Sequence, residues 1–157
     1  MAVTAGDPAP QFTLPGVLDG VRRNYSLAEF AGRPVVLISY PGDNTPVCTR
    51  QLNAYTADID LFLEFDAQLL AVSPEDLESH QGFADHQGGF AFPLLADVDK
   101  TLARDYGVLG PMGFYRRCVF VIDGHGTVTH VHRGFAGATF RRTPELLHAI
   151  EAAHARS

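Results

Sequence analysis

The apolar run Val35-Val36-Leu37-Ile38 gives way at once to P-G-D-N-T-P-V-C-T (residues 41–49), and this junction constrains the fold more than any other stretch. The run has the length and β-branched content of a buried strand. Beyond it, Leu52, Tyr55, Ile59, Phe62 and Leu63 recur at spacings of three and four, a helix period. The predicted unit is a central strand from Val35 to Tyr40, a tight turn, and a long helix from Thr45 to about Phe65. Cys48 then lies in the first turn of that helix, at the C-terminal edge of the strand. Free backbone N–H groups and the positive end of the helix dipole favour an anion there. A thiol so placed loses its proton more easily, and the thiolate is the nucleophile.

The neighbouring residues sharpen this expectation. Thr45 lies three residues before Cys48, at the N-cap, where its hydroxyl can point back at the sulfur. Pro46 follows at the helical position that proline tolerates best. Pro41 can wall the pocket against bulk water. A cysteine at a strand–helix junction is otherwise an ordinary small buried hydrophobe; the threonine and proline in register argue against that reading.

The rest of the chain predicts alternating strands and helices. Residues 11–14 and 20–25 read as a short hairpin, and Ser26 to Phe30 as one helical turn capped by Ser26. Gln68 to Val72 is a second buried strand. A helix follows from Pro74 to about His86, with Ser73 as its cap. Phe92 to Leu94 precedes a short helix, Asp99 to Tyr106. Cys118 to Ile122 and Val128 to His132 form a hairpin across D-G-H-G, and Thr143 to about Ala155 is a final helix. The order implies an α/β sandwich with a mixed sheet. The loop Gly107 to Tyr115 is apolar for a loop, so it lines a pocket, forms a small interface, or packs over its own core.

Composition bounds the function. At 157 residues, 46% hydrophobic and 19% charged, the chain is expected to form one globular domain, residues 1–157. Net charge is −6 with no basic cluster, which argues against nucleic acid. No apolar run approaches the roughly 18 residues of a membrane helix, so no membrane partner is expected. Met1 to Pro10 lacks the basic and apolar regions of a signal peptide, and the expected location is the cytoplasm. Two cysteines do not make a disulfide scaffold. His130 and His132 share a strand face but have no third ligand in evidence, so no metal site is expected.

Pro41, Thr45 and Cys48 match the three fixed letters of Pro-x-x-x-Thr-x-x-Cys, and the stretch resembles the signature of the peroxiredoxins. The opening G-D-P-A-P-Q-F-T-L-P (Gly6 to Pro15) resembles their start as well, and the likeness covers about residues 6–155. It implies a thioredoxin-like fold, a central mixed β-sheet flanked by helices. It also implies a thiol-dependent peroxidase: Cys48 attacks the terminal oxygen of a peroxide and becomes a sulfenic acid. Neither metal nor organic cofactor is implied. By the family pattern, Arg117 rather than Arg116 faces Cys48, favouring the thiolate and holding peroxide oxygens by a fork of donors. Gln51 occupies a place where many members orient that arginine. The backbone N–H groups of Val47 and Cys48 are the natural cradle for the peroxide.

The likeness is nearest to the peroxiredoxin Q, or bacterioferritin-comigratory-protein, type, but with a departure. Where many of those proteins carry a resolving cysteine, five residues after the first, this chain has Asn53. Cys118 is the only internal candidate to resolve Cys48. It adjoins Arg117 in a strand, so it should point to the opposite face. The favoured cycle therefore uses one cysteine and an external thiol: a thioredoxin, a glutaredoxin-like protein or a low-molecular-weight thiol. Two other functions compete with this one. A thioredoxin-type disulfide oxidoreductase lacks its second cysteine in Cys48-Thr49-Arg50-Gln51. A peroxide sensor or holdase would use Cys48 oxidation to alter a binding surface. The expected assembly is a monomer or weak dimer.

Overall fold

The computed structural model describes residues 3–134 and 142–156; the ends of the expected 1–157 domain and residues 135–141 lie outside the described part. Twelve helices and strands matter here. They are β1 (Thr13–Leu18), β2 (Val21–Ser26), β3 (Val35–Ser39), α1 (Pro46–Ala57), α2 (Ile59–Leu63) and β4 (Gln68–Ser73). Then come α3 (Leu77–Gln87), β5 (Leu94–Ala96), α4 (Thr101–Tyr106), β6 (Cys118–Ile122), β7 (Val128–Arg133) and α5 (Thr143–Arg156). The strands form one mixed sheet in the order β2-β1-β5-β4-β3-β6-β7. β3 pairs in parallel with β4 and antiparallel with β6, so the apolar run Val35-Val36-Leu37-Ile38 is central and fully buried.

Alternation along these strands divides the core. Val36, Ile38, Leu69, Ala71, Val119 and Val121 face one side, where Cys48, Leu52, Phe62, Phe83 and Ile150 of the helices meet them. Val35, Leu37, Leu70, Val72, Phe120 and Ile122 face the other, packing on Leu27, Leu102 and Tyr106. Each large apolar side chain so buried contributes about 1.5–3 kcal/mol before the cost of ordering the chain.

The first hairpin strand runs over Thr13–Leu18 rather than residues 11–14, α4 starts at Thr101 rather than Asp99, and two further boundaries near the site differ from expectation. The long helix after Thr45 is interrupted at Asp58, whose backbone (φ −99°, ψ 14°) leaves the helical region. There the Leu61 N–H donates to the Asp58 carbonyl at 2.9 Å, a tighter turn. Aspartate competes with helical hydrogen bonding, while the apolar stripe carries on across the break through the Tyr55–Phe62 ring contact. The second difference is the start of α3. Ser73 does not cap it: Ser73 belongs to β4 and pairs with Ala96. The helix begins at Leu77, capped by Asp76, whose carboxylate accepts from the Ser79 N–H at 2.9 Å. Sheet pairing takes Ser73, and aspartate is as good a cap three residues on.

The loop after α4 is divided. Val108 and Tyr115 are buried, whereas Met112 and Phe114 are 92% and 69% exposed. It is held from beneath: Tyr115 donates its hydroxyl proton to Asp97, and Lys100 Nζ donates to the Gly113 carbonyl at 2.7 Å. Asp97 also accepts from the N–H groups of Leu102 and Ala103, which ties the loop to the start of α4.

Candidate active site

Thr45 is the N-cap of α1, Pro46 its first residue, and Cys48 lies in the first turn with no exposed surface. The first intrahelical bond runs from the Thr49 N–H to the Thr45 carbonyl at 2.9 Å. The Val47 and Cys48 N–H groups precede it, and such groups lack an intrahelical acceptor. They are the donors a bound oxygen can use.

Arg117 reaches this place from the residue before β6. Its chain neighbours explain why. Val119 and Val121 face the Cys48 side of the sheet, and Arg117 falls in phase with them. Its Nη2 donates to the Cys48 sulfur at 3.2 Å, and its Nη1 donates to Gln51 Oε1 at 2.6 Å, with the whole side chain buried. A guanidinium keeps its proton, so the sulfur faces a full cation in a low-dielectric setting. Gln51 is fully buried one turn along α1 and donates in turn to the Tyr55 hydroxyl at 3.4 Å. Burial pushes the Tyr55 phenol up to about 12, so it stays protonated. Arg116, by contrast, runs against the loop at Gly110, where a Cβ would come within 3.0 Å of its Nε.

Thr45 points differently from the simplest expectation. Its hydroxyl donates to the Gly42 carbonyl at 3.2 Å, which leaves its oxygen lone pairs as acceptors. Pro41 directly follows Tyr40 at the end of β3 and is exposed, while Gly42 and Asp43 behind it are buried.

Cys118 is on the other side of the sheet from Cys48, among the residues that pack with Phe120 and Ile122. Both thiols are free. The Cys118 N–H donates to Ser39 Oγ at 3.0 Å, and burial pushes its thiol up. At neutral pH it therefore remains a protonated, enclosed thiol. Brief iodoacetamide treatment of native reduced protein at neutral pH is expected to label one cysteine, Cys48. Peptide mapping that found Cys118 labelled as fast would contradict this geometry.

Sequence reasoning missed one polar cluster beside the site. Asp43 accepts from Tyr40 Oη and Ser79 Oγ, each at 2.7 Å, and shares a 2.7 Å hydrogen bond with His80 Nδ1; His80 Nε2 lies 2.9 Å from the Leu95 carbonyl. His80 was one of seven scattered histidines; its spacing from Leu77 and Phe83, on the inner face of α3, was the available signal.

Residues 5–131 match the AhpC/TSA family. The chain is 35% identical over 134 residues to a chloroplastic peroxiredoxin Q of Gentiana triflora, covering 83% of this chain and 59% of that protein. It is 35% identical over 133 residues to peroxiredoxin-2 of Rattus norvegicus, covering 80% and 67%. Over 138 residues it is 34% identical to a thioredoxin peroxidase of Echinococcus granulosus, covering 83% and 72%. Among solved structures, the reduced 2-Cys peroxiredoxin of Plasmodium vivax superposes with a TM-score of 0.89 at 29% identity, over 97% of both chains. AhpC of Mycobacterium bovis gives 0.90 at 24% identity, over 100% of this chain and 96% of that one, a likeness of fold.

The chain belongs to the AhpC/TSA family, a family of thiol-dependent peroxidases. The resemblance read from Pro41, Thr45 and Cys48 and the thioredoxin-like fold it implied both hold. Among the described residues, no helix is long and apolar enough to cross a membrane.

Proposed function

We propose that this chain reduces hydrogen peroxide and organic hydroperoxides at Cys48 in a one-cysteine cycle completed by an external thiol. The carrying observation is the Arg117 guanidinium, which donates to the Cys48 sulfur at 3.2 Å and to Gln51 at 2.6 Å inside a buried site. The Cys48 thiolate attacks the terminal oxygen of ROOH; an S–O bond forms as the O–O bond breaks. The sulfur is oxidised to sulfenic acid, and the leaving RO⁻ takes a proton to become ROH. Thr45 Oγ accepts from the peroxide O–H. Arg117 and the Val47 and Cys48 N–H groups stabilise the charge that grows on the leaving oxygen. Pro41 forms part of the rim. An external thiol then condenses with the sulfenic acid, releasing water and leaving a mixed disulfide. A second thiol displaces Cys48 from it.

The one-cysteine form rests on the sheet that lies between Cys48 and Cys118. A disulfide needs Cα atoms within about 7 Å and convergent Cβ vectors. The reductant is a thioredoxin, a glutaredoxin-like protein or a small thiol. The protein works as a single domain, a monomer or weak dimer in the cytoplasm.

Intact mass of the reduced protein after one equivalent of hydrogen peroxide, with and without a sulfenic-acid trap, tests the cycle. A gain of one oxygen, trapped on Cys48, is the expected result. Loss of two hydrogens within the monomer would replace the external resolver with Cys118. No change would remove Cys48 from peroxide chemistry.

A further inference from the structure

The segment from Tyr40 to Thr45 must carry the chain from the sheet edge into α1 in very few residues. Its backbone is unusual at Asn44, which adopts φ +63°, a conformation that asparagine tolerates better than most residues. Its backbone is tied at both ends, the Tyr40 N–H donating to the Val72 carbonyl at 3.0 Å and the Thr45 carbonyl accepting from the Thr49 N–H at 2.9 Å; between them side chains make the ties. Thr45 is bound to the Gly42 carbonyl at 3.2 Å, and Asp43, the next residue along, is the buried anchor. The Asp43 carboxyl accepts from Tyr40, just past β3, and from Ser79 in the first turn of α3, and it shares a hydrogen bond with His80 of the same turn. His80 extends the chain of contacts to β5 through the Leu95 carbonyl.

The donor count fixes the character of this cluster. A carbonyl only accepts, so the hydrogen on His80 Nε2 is spoken for by Leu95 at 2.9 Å. The 2.7 Å contact between Nδ1 and Asp43 Oδ2 must then hold a further proton, on the ring or on the carboxyl. Burial and the neighbouring Asp43 hold the Tyr40 phenol well above its usual range, so Tyr40 remains a donor. Tyr40 and Cys48 belong to the same buried cluster on one face of the sheet, which places this network beside the sulfur. Every polar atom here is matched, and such a network holds one geometry firmly.

We propose that Asp43 and His80 are positioning residues for the peroxide step: the pair clamps the Pro41–Thr45 segment to α3 and β5, keeping the Thr45 hydroxyl in register with the Cys48 sulfur. The inference rests on the reading of Cys48 as the attacking sulfur. Its consequence is selective. Attack on a peroxide needs Thr45, the helix N–H groups and the sulfur in line. Alkylation by a small reagent needs only a reachable thiolate.

The test compares two rates at Cys48, oxidation by hydrogen peroxide and alkylation by iodoacetamide, in wild type and in His80→Leu, Ser79→Ala and Asp43→Asn. His80→Leu is expected to slow oxidation about 10- to 100-fold, the scale of a misaligned attack, with alkylation at the wild-type rate. Ser79→Ala, a half-buried change that spares the fold, should show a smaller loss of the same selective kind and decides the matter if His80→Leu does not fold. Asp43→Asn should keep most of the oxidation rate, because the amide can still accept from Tyr40 and donate to Nδ1. Oxidation at the wild-type rate in both His80→Leu and Ser79→Ala overturns the inference alone. So does a parallel fall in both rates, which marks a purely structural pair. A wild type that gains no oxygen with peroxide overturns the reading of Cys48, and the inference with it.

Discussion

Cys48→Ser is expected to abolish peroxide consumption with any thiol donor and to erase the gain of oxygen in the intact mass. The reason lies in the nucleophile itself. A serine hydroxyl in the first turn of α1 meets the same Arg117 and the same N–H groups, yet it does not ionise in the range where a thiol does. All the surrounding charge stabilisation then has no anion to deliver. Cys118→Ser is the paired control. Its sulfur is enclosed on the opposite face of the sheet, its backbone N–H donates to Ser39 Oγ, and its replacement should leave most of the turnover supported by an external thiol. Peroxide consumption by coupled assay, at matched protein folding by circular dichroism, checks both. Equal loss in the two variants would overturn the one-cysteine cycle.

The second large effect is expected at Arg117. Arg117→Ala should slow Cys48 oxidation by about 10²–10³-fold, the usual cost of removing one preorganised donor to a developing anion. Stopped-flow measurement of the first oxidation step isolates it from the thiol half of the cycle. The variant also leaves Gln51 Oε1 buried and short of its 2.6 Å donor, which should cost about 1–3 kcal/mol of stability. A thermal melt therefore belongs beside the kinetics. Arg117→Lys is expected to recover little, because a single ammonium cannot serve the sulfur and Gln51 together as the planar fork does. Arg116→Ala should leave the oxidation rate near wild type, since that side chain lies along Gly110. A loss confined to Arg116→Ala would reverse the assignment of strand faces.

The elements that a periodic pattern defines were legible from the chain: the buried β3, the helix carrying Cys48, and the β6–β7 hairpin. Alternation along β6 was enough to separate Arg117 from Cys118, and the structure brings the first to Cys48 and leaves the second across the sheet. Boundaries were less legible where two roles competed for one residue. Ser73 had the makings of a helix cap but was taken by strand pairing with Ala96, and the cap passed to Asp76. Asp58 interrupts a stripe of apolar residues that, read alone, predicts one unbroken helix. The loop at Gly107 to Tyr115 mixed buried and exposed apolar residues that composition could not separate.

What the sequence by itself determined is local and periodic: a cysteine three residues past a capping threonine, on a helix that leaves a buried strand. Spacing along a helix or a strand is a covalent fact, and the positions of Thr45, Cys48 and Gln51 relative to one another follow from it. What only the tertiary structure decided is which distant groups complete the site. Arg117 is 69 residues from Cys48, and His80 is 37 from Asp43. Those pairs meet because β3 lies between β4 and β6 and because α3 packs against the segment that follows β3. Packing of the two faces of the sheet sets that arrangement, and no spacing within either segment encodes it.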